Sequence, residues 1–198
     1  MYRRWGKRVF DIVVSLMALI VLLPFLFLIS IGIKFSSKGD IFYKQERVGE
    51  AFKPFMLYKF RSMVIGADKI GPGVTSGDDP RITKIGKILR RTKIDELPQL
   101  FNVLRGEMSL VGPRPELMKF VESEKEAYKK VLSIKPGITD NASIAYRDEE
   151  EIMKQYDDKE RAYIEEVLPK KIKLYNEYID NISFINDCKL ILQTLKVL

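Results

Sequence analysis

The uncharged stretch from residue 12 to residue 33, IVVSLMALIVLLPFLFLISIGI, decides the fold class of this chain. As a straight helix it would be roughly 33 Å long, and the hydrocarbon core of a bilayer is about 30 Å thick. It is longer than the apolar core of a cleavable signal peptide, and no small-x-small pattern follows it. The sequence therefore predicts a membrane segment that stays attached to the protein.

Basic residues flank this segment on both sides, so both ends carry the signature of the cytoplasmic side of a membrane. They are Arg3, Arg4, Lys7 and Arg8 before it, and Lys34 and Lys38 after it. Pro24 lies near the middle, and an internal proline kinks or breaks a helix. We therefore expect a re-entrant segment, positioned by Lys7, Arg8 and Pro24, that returns both ends to the cytoplasm. A simple span is the alternative.

Composition narrows the chemistry of the rest of the chain. The formal charge of +7 suits nucleic acid, an anionic membrane surface or phosphorylated small molecules, and a membrane segment favours the last two. With one cysteine, Cys188, and no histidine, the chain has no intrachain disulfide and lacks the usual zinc ligands and neutral-pH base. The groups that remain for catalysis are carboxylates, Lys, Arg and hydroxyls, together with a hard cation such as Mg²⁺. Phosphoryl transfer uses groups of these kinds.

The pattern of apolar residues predicts an α+β fold that is mostly helical. Two short strands are expected between residues 40 and 61, a surface loop over 66–80, and two short helices around residues 82–89 and 97–104, the second ending at Gly106. Charged amphipathic helices are expected over 116–132 and 149–168, with Pro169 opening the next one. The last apolar segment, 184–198, fits a core helix or a helix in the membrane interface equally well. The domains are a membrane segment, 1–38, and a cytoplasmic domain, 39–198.

An acidic pair follows directly after a basic stretch. Six cations and no acid lie between residues 81 and 93, and Asp95 and Glu96 come next. The pair could simply cap and open the helix that follows, where negative charge is favoured. Alternatively, a carboxylate kept ionised by nearby cations is a competent nucleophile, and the cations can hold a polyphosphate.

Two further segments present cations. Arg114 lies between Pro113 and Pro115, which stiffen the backbone, and a guanidinium presented in this way suits bidentate phosphate binding. Lys59 and Arg61 stand at alternate positions of a predicted strand and therefore on one face. By themselves these segments would be a turn and a solvated strand face.

Together, the motifs resemble the bacterial monotopic phosphoglycosyl transferases, small enzymes that begin the assembly of surface glycans. The resemblance covers nearly the whole chain. The matching motifs are Lys7-Arg8-x-Phe10-Asp11, YKFRSM (58–63), LRRTKIDELPQLFNVL (89–104), GPRP (112–115) and KPGIT (135–139).

The resemblance implies transfer of a sugar 1-phosphate from a UDP-sugar to a polyprenol (undecaprenyl) phosphate, with release of UMP. Carried over residue by residue, it makes Asp95 the nucleophile that forms a covalent aspartyl phosphosugar and Glu96 its partner, in binding Mg²⁺ or in assisting the attack. Glu96 and Asp95 are the residues expected to bind the metal. It implies that Lys59, Arg61, Arg90 and Arg114 bind phosphates and that Pro113 and Arg147 contact nucleotide or sugar. The location would be the cytoplasmic face of the bacterial inner membrane, with no nucleic-acid partner; a homodimer is left open.

This chain departs from the family pattern in two places. Leu23 stands before the membrane proline where a small polar residue is frequent, and residues 140–148 differ from the usual continuation after KPGIT. Asp187 also matches a family segment, although an acid on a surface helix is the simpler interpretation. The competing function is a noncatalytic membrane-surface module that binds anionic lipid or nucleic acid through its basic stretch; the adjacent Asp95 and Glu96 argue against it.

Overall fold

The apolar segment lies within one long helix, α1 (Lys7–Ser36), which continues through Pro24. The structure, a computed structural model, describes residues 2–70, 75 and 79–197. Within these residues α1 is the one helix long and apolar enough to cross a membrane. The helix is not broken at Pro24, and the re-entrant topology stays a prediction.

The rest of the chain combines short helices with two small sheets, so the prediction of a mostly helical α+β fold is confirmed. The strands are β1 (Phe42–Val48), β2 (Pro54–Phe60), β3 (Ser109–Val111) and β4 (Gly137–Thr139). The helices after α1 are α2 (Ala67–Ile70), α3 (Lys84–Arg91), α4 (Gln99–Arg105), α5 (Met118–Ser123), α6 (Lys125–Val131), α7 (Asn141–Ala145), α8 (Glu149–Ile152), α9 (Lys159–Ala162), α10 (Leu168–Asp180) and α11 (Phe184–Val197). Single helical turns occur at Tyr2–Gly6, Glu50–Phe52, Ile94–Glu96, Met153–Gln155 and Tyr163–Val167.

Most short elements agree with the sequence pattern. β1 and β2 form the predicted antiparallel hairpin, and α4 ends at Gly106, whose φ of 83° is left-handed. Pro169 lies in the first turn of α10. Part of the predicted loop, 67–70, is helical, and residues 71–74 and 76–78 lie outside the described residues.

The two long charged helices were predicted wrongly as continuous elements. The first is divided at Glu124, whose φ of −127° and ψ of 39° are not helical, into α5 and α6. The second is divided into α8, α9 and intervening turns. An amphipathic pattern persists through such breaks because each short helix still buries one apolar face.

The parallel pair β3–β4 was not anticipated from the sequence. Ser109 pairs with Gly137 and Val111 with Thr139, which brings two segments together across about 25 residues of intervening chain. The pairing continues past β3, because Gly112 donates to the carbonyl of Thr139 at 2.9 Å and Gly137 donates to that of Pro113 at 2.9 Å. The two glycine backbones touch, and a Cβ at Gly137 would lie 2.1 Å from the Gly112 nitrogen.

One face of α1 packs against the domain that follows it. Leu19, Leu26 and Ile33 are buried at intervals of seven residues and belong to the same core as Leu57 and Phe60 of β2. Seven residues make nearly two helical turns, so this spacing keeps the three side chains on one stripe. The other faces of α1 remain largely exposed and apolar.

Charged and polar side chains fix both ends of α1 to the same domain. Near its start, Arg8 donates to the carbonyls of Val103 (2.5 Å) and Leu104 (2.9 Å) at the C-terminus of α4. At its end, Arg61 donates to the carbonyls of Ser37 (2.9 Å) and Lys38. A cation at a helix C-terminus satisfies unpaired carbonyls and interacts favourably with the helix dipole.

Asp187 is not on the surface, which corrects the sequence interpretation. Its carboxylate is fully buried at the start of α11 and accepts hydrogen bonds from Tyr2 (2.6 Å), Lys7 (2.6 Å) and Tyr178 (2.7 Å). Asp187 therefore links the residues before α1 to the C-terminal part of the chain. The opposite face of α11 exposes Ile185, Leu192 and Leu195, so this helix has both a core face and an exposed apolar face.

We expect Gly137→Ala to lower the free energy of unfolding by about 3 kcal/mol or more, because the new Cβ would overlap backbone atoms that cannot rotate away. Denaturant unfolding in detergent micelles measures this change. Gly66→Ala is the control: no atom lies within 4 Å of its Cβ position, and only its φ of +75° opposes the substitution, at about 1 kcal/mol. Equal losses in the two variants would contradict the proposed close approach of the strands.

Candidate active site

Asp95 lies in the single helical turn Ile94–Glu96, where the chain changes direction between α3 and α4. The turn follows Lys93, whose φ of 55° is left-handed. The interpretation of Asp95 as a helix cap was wrong, because α4 begins after Pro98 without a side-chain cap. Asp95 is 4% exposed, and its Oδ1 atom has no hydrogen-bond partner among the described residues. A buried carboxylate oxygen without a partner is costly and points to a ligand.

The protonation of Asp95 is set by opposing effects. Burial raises its pKa, the nearby charge of Lys59 lowers it, and that of Glu96 raises it again, giving a pKa of about 6. The usual value is 3.8. At neutral pH the carboxylate is therefore ionised but more basic than an exposed aspartate, which improves it as a nucleophile.

Glu96 is held between two cations. Its carboxylate accepts from Lys59 Nζ at 2.8 Å and forms a bidentate pair with Arg114, with 3.0 Å from Nη1 to Oε2. Burial would raise the pKa of Glu96, but the charges of Arg114 and Lys59 outweigh it and hold that pKa well below 4.5. Glu96 is thus a permanent anion that gathers two of the cations expected to bind phosphate.

The β3–β4 pair presents Arg114. Two backbone hydrogen bonds that extend this pair, Gly112 to Thr139 and Gly137 to Pro113, fix the segment immediately before Arg114. Behind it, Arg47 of β1 donates to the carbonyl of Pro115 at 3.3 Å. The backbone on both sides of Arg114 is therefore held in place, as the flanking prolines led us to expect.

Arg90, near the end of α3, lines the same cleft as Asp95, and its charge lowers the pKa of that carboxyl. Its Nη2 atom is paired with Glu150 of α8, and its Nη1 atom lies 3.5 Å from the hydroxyl of Ser62. Its Nε is buried and has no partner among the described residues. Arg90 therefore retains capacity to bind an oxygen anion.

The other sequence-predicted site residues are engaged in other contacts or lie outside the cleft. Arg61 borders the same cleft, but its Nη atoms are committed to the end of α1. Arg147 lines a separate cavity with Lys196 and Val197, and Asp95 is not part of its lining. Pro113 uses its carbonyl in the β3–β4 contact. Lys59, Arg90, Arg114, Asp95 and Glu96 are the residues that the fold brings together.

Asp95, Lys59, Arg90 and Arg114 border a cleft of about 710 Å³, a volume typical of small-molecule sites. Its charged lining contains more cations than acids. The cations are Arg47, Lys59, Arg61, Arg81, Arg90, Arg114, Lys119 and Lys171, and the acids are Asp40, Asp95, Glu116, Glu149 and Glu150. A cleft with this balance favours an anionic ligand such as a diphosphate.

The sequence interpretation missed a buried polar network beside Arg114. Glu116 accepts from Tyr163 (2.5 Å) and Lys171 (3.3 Å), and Lys171 also donates to Glu149 at 3.0 Å. Lys171 is 2% exposed. Its position, one helical turn from Leu168 and from Tyr175, was the available signal, because a lysine on an apolar helical face must find a buried partner.

The described residues contain no group of three or more His, Cys, Asp or Glu side chains that could hold a metal by themselves. Mg²⁺, however, is often bound by one or two carboxylates together with substrate phosphates. The unpaired Oδ1 of Asp95 fits such a site, whereas the oxygens of Glu96 are already engaged by Lys59 and Arg114. The residues present therefore fit Mg²⁺ at Asp95 when a diphosphate supplies further oxygens.

The model of the family described as bacterial sugar transferase matches residues 2–198. The chain belongs to this family. The match confirms the resemblance inferred from the motifs around Asp95 and Arg114.

Curated relatives carry names of matching chemistry. The chain is 38% identical over 194 residues to UDP-glucose:undecaprenyl-phosphate glucose-1-phosphate transferase of Escherichia coli (strain K12), covering 96% of this chain and 39% of that protein. It is 40% identical over 197 residues to undecaprenyl-phosphate glucose phosphotransferase of Komagataeibacter xylinus, covering 96% and 35%. It is 32% identical over 197 residues to UDP-N-acetylgalactosamine-undecaprenyl-phosphate N-acetylgalactosaminephosphotransferase of Aeromonas hydrophila, covering 97% and 43%. The chain spans less than half the length of these three relatives.

A carboxylate acts as a nucleophile only when it is ionised, so catalysis through Asp95 predicts that kcat/KM falls on the acid side with an apparent pKa of about 6. Below that pH the rate should drop tenfold per unit. Lys59→Met should shift this limb to higher pH, since the charge of Lys59 lowers the pKa of Asp95. Lys44→Met, on the exposed face of β1, should leave it in place. A wild-type acid limb near pH 4 would contradict this assignment.

Proposed function

We propose that this protein transfers a sugar 1-phosphate from a UDP-sugar to undecaprenyl phosphate through a covalent intermediate on Asp95. A carboxylate oxygen of Asp95 attacks the β-phosphorus, the bond from that phosphorus to the bridging oxygen breaks, and UMP leaves with the electron pair. An oxygen of the lipid phosphate then attacks the same phosphorus. The Asp95 carboxylate is released, and the product is a polyprenyl diphosphosugar.

The observation that carries this proposal is the state of Asp95. Its buried carboxylate has an unpaired oxygen and a pKa of about 6, and it borders a cleft that also contains Lys59, Arg90 and Arg114. These cations would hold the diphosphate oxygens and stabilise the charge that develops on the leaving UMP. The names of the relatives supply the substrate class, and because those names differ in the sugar, we leave the sugar unassigned.

Mg²⁺ belongs to the proposal as a substrate-associated cation. Asp95 would hold it together with diphosphate oxygens, and when bound it would neutralise part of the diphosphate charge. Glu96 acts differently: it keeps Lys59 and Arg114 side by side. In its absence their mutual repulsion would separate them.

The proposed location is the cytoplasmic face of the bacterial inner membrane, with α1 re-entrant. Its support is that Arg8 and Arg61 tie opposite ends of α1 to one domain. A helix with its two ends on opposite sides of a bilayer could not make both sets of contacts. Pro24 itself is exposed on α1.

Incubation with a UDP-sugar labelled in the sugar, in the presence of Mg²⁺ and without lipid, should leave the label on wild-type protein. Hydroxylamine should release it, because an acyl phosphate is cleaved by this nucleophile. Asp95→Asn should retain no label and release no UMP, since an amide cannot replace the carboxylate as nucleophile. EDTA should prevent labelling.

Asp157→Asn is the matched control, because Asp157 is exposed and far along the chain from the acidic pair. It should behave as wild type. Turnover by wild-type protein with no retained label would overturn the covalent route. Turnover by Asp95→Asn would overturn the assignment of the nucleophile.

The re-entrant topology predicts that residues before and after α1 react from the same side of the membrane. In a Cys188→Ala background, Arg3→Cys and Lys38→Cys each place a thiol at an exposed position. A membrane-impermeant thiol reagent should label both in inverted vesicles and neither in intact spheroplasts. Labelling from opposite sides would exclude the re-entrant arrangement.

A further inference from the structure

The strand β1 directs alternate residues toward two different surroundings. Gln45 and Arg47 line the cleft, whereas Lys44 and Glu46 are exposed on the other face. Tyr43, which also lines the cleft, lies opposite Lys59 in the hairpin register. The cleft therefore continues along β1 from the level of Lys59 to that of Arg47, a distance of about 13 Å at roughly 3.3 Å per residue.

This continuation, which we call the distal arm and define by Gln45 and Arg47, leads away from α1. The strand begins close to the end of α1, where Arg61 donates to the carbonyls of Ser37 and Lys38. It ends at Val48, which packs in a second core with residues of α5, α6 and α10, to which α1 does not contribute. A water-soluble ligand part would reach the distal arm without approaching the membrane segment.

Arg47 has an unused donor in this arm. Its Nη1 atom donates to the carbonyl of Pro115 at 3.3 Å and its Nη2 atom to Oε1 of Gln45 at 2.7 Å, but Nε is buried without a partner among the described residues. Burial lowers the pKa of Arg47, Glu116 partly offsets this, and the charge of Arg114 lowers it further. A ligand anion beside Arg47 and Arg114 would relieve that repulsion.

Gln45 is oriented by the same contact. Because its Oε1 atom accepts from Arg47, its amide nitrogen is the group left to interact with a ligand. Over the part of the chain that the structure describes, this nitrogen makes no hydrogen bond to protein. A fixed amide donor suits a carbonyl or hydroxyl oxygen, both of which a pyrimidine nucleoside carries.

We propose that the distal arm binds the uridine monophosphate half of the donor, with Arg47 and Arg114 on the α-phosphate and the Gln45 amide on the nucleoside. This inference rests on the proposed function. It assigns the two ends of the cleft to different ligands: the leaving nucleotide lies toward Arg47, and the lipid phosphate arrives from the end nearest α1, where Val64 and Ile65 expose apolar side chains.

The test measures equilibrium binding of UMP alone to the purified full chain, by calorimetry in detergent and without acceptor lipid. Gln45→Ala should weaken UMP binding about tenfold, because a ligand oxygen loses its donor. Arg47→Lys should also weaken it, since lysine retains the charge but not the Nε donor. Glu46→Ala, the adjacent residue on the opposite face of β1, is the matched control and should bind UMP as wild type does. Thermal unfolding of Gln45→Ala close to that of wild type shows that the fold is kept.

Steady-state kinetics separate this inference from the proposed function. Gln45→Ala should raise KM for the UDP-sugar about tenfold and leave KM for polyprenol phosphate unchanged. Three outcomes would overturn the distal-arm assignment: unchanged UMP affinity in both Gln45→Ala and Arg47→Lys, an equal loss of UMP affinity in Glu46→Ala, or a rise confined to KM for polyprenol phosphate. Turnover by wild type would still uphold the proposed reaction. No UMP release by wild type from any UDP-sugar would instead overturn the proposed function and the inference with it.

Discussion

The bidentate contact of Glu96 with Arg114, together with the bond from Lys59 to Glu96, is the interaction on which the rest of the site depends. It joins three segments that are distant in the chain: the end of β2, the turn Ile94–Glu96 and the loop after β3. A buried ion pair is strongly destabilised when one partner is lost, so each segment constrains the other two. The constraint also determines what Asp95 can do, because the adjacent Glu96 takes up two cations and leaves Asp95 Oδ1 unpaired.

Burial of the Asp95 carboxylate makes it more basic and lowers the stability of the fold. Raising the pKa of Asp95 from 3.8 to about 6 means that ionising this carboxylate costs about 3 kcal/mol of folding stability. The protonated form of Asp95 contributes this stability. The contribution is complete below pH 3.8 and is lost as pH rises through 6, because the pKa is higher in the folded protein. A bound cation or a phosphate held by Arg90 and Arg114 would replace the missing partners of the site. A ligand bound at these atoms should therefore stabilise the fold.

Sequence reasoning succeeded where neighbouring residues determine the outcome. The hairpin β1–β2, the helices α3 and α4 and the stop at Gly106 all follow from local periodicity and turn residues. Sequence reasoning failed where the burial or pairing of a residue depends on a partner that is distant in the chain. Asp187 has the sequence context of a surface acid but is buried because Tyr2 and Lys7 come to it from the other end of the chain, and Lys171 is buried because Glu116 receives it. The parallel pairing of Ser109 with Gly137 is equally non-local.

Helix α1 is likewise held in place by residues that are distant in the chain. Arg8 satisfies carbonyls at the end of α4, and Arg61, one residue beyond β2, satisfies carbonyls at the end of α1. Because α4 follows directly on the turn that carries Asp95, and β2 carries Lys59, α1 and the Asp95 carboxylate are held by the same two elements. In the arrangement that we propose, the distance from the membrane to Asp95 would be set by the contacts of Arg8 and Arg61 at the two ends of α1.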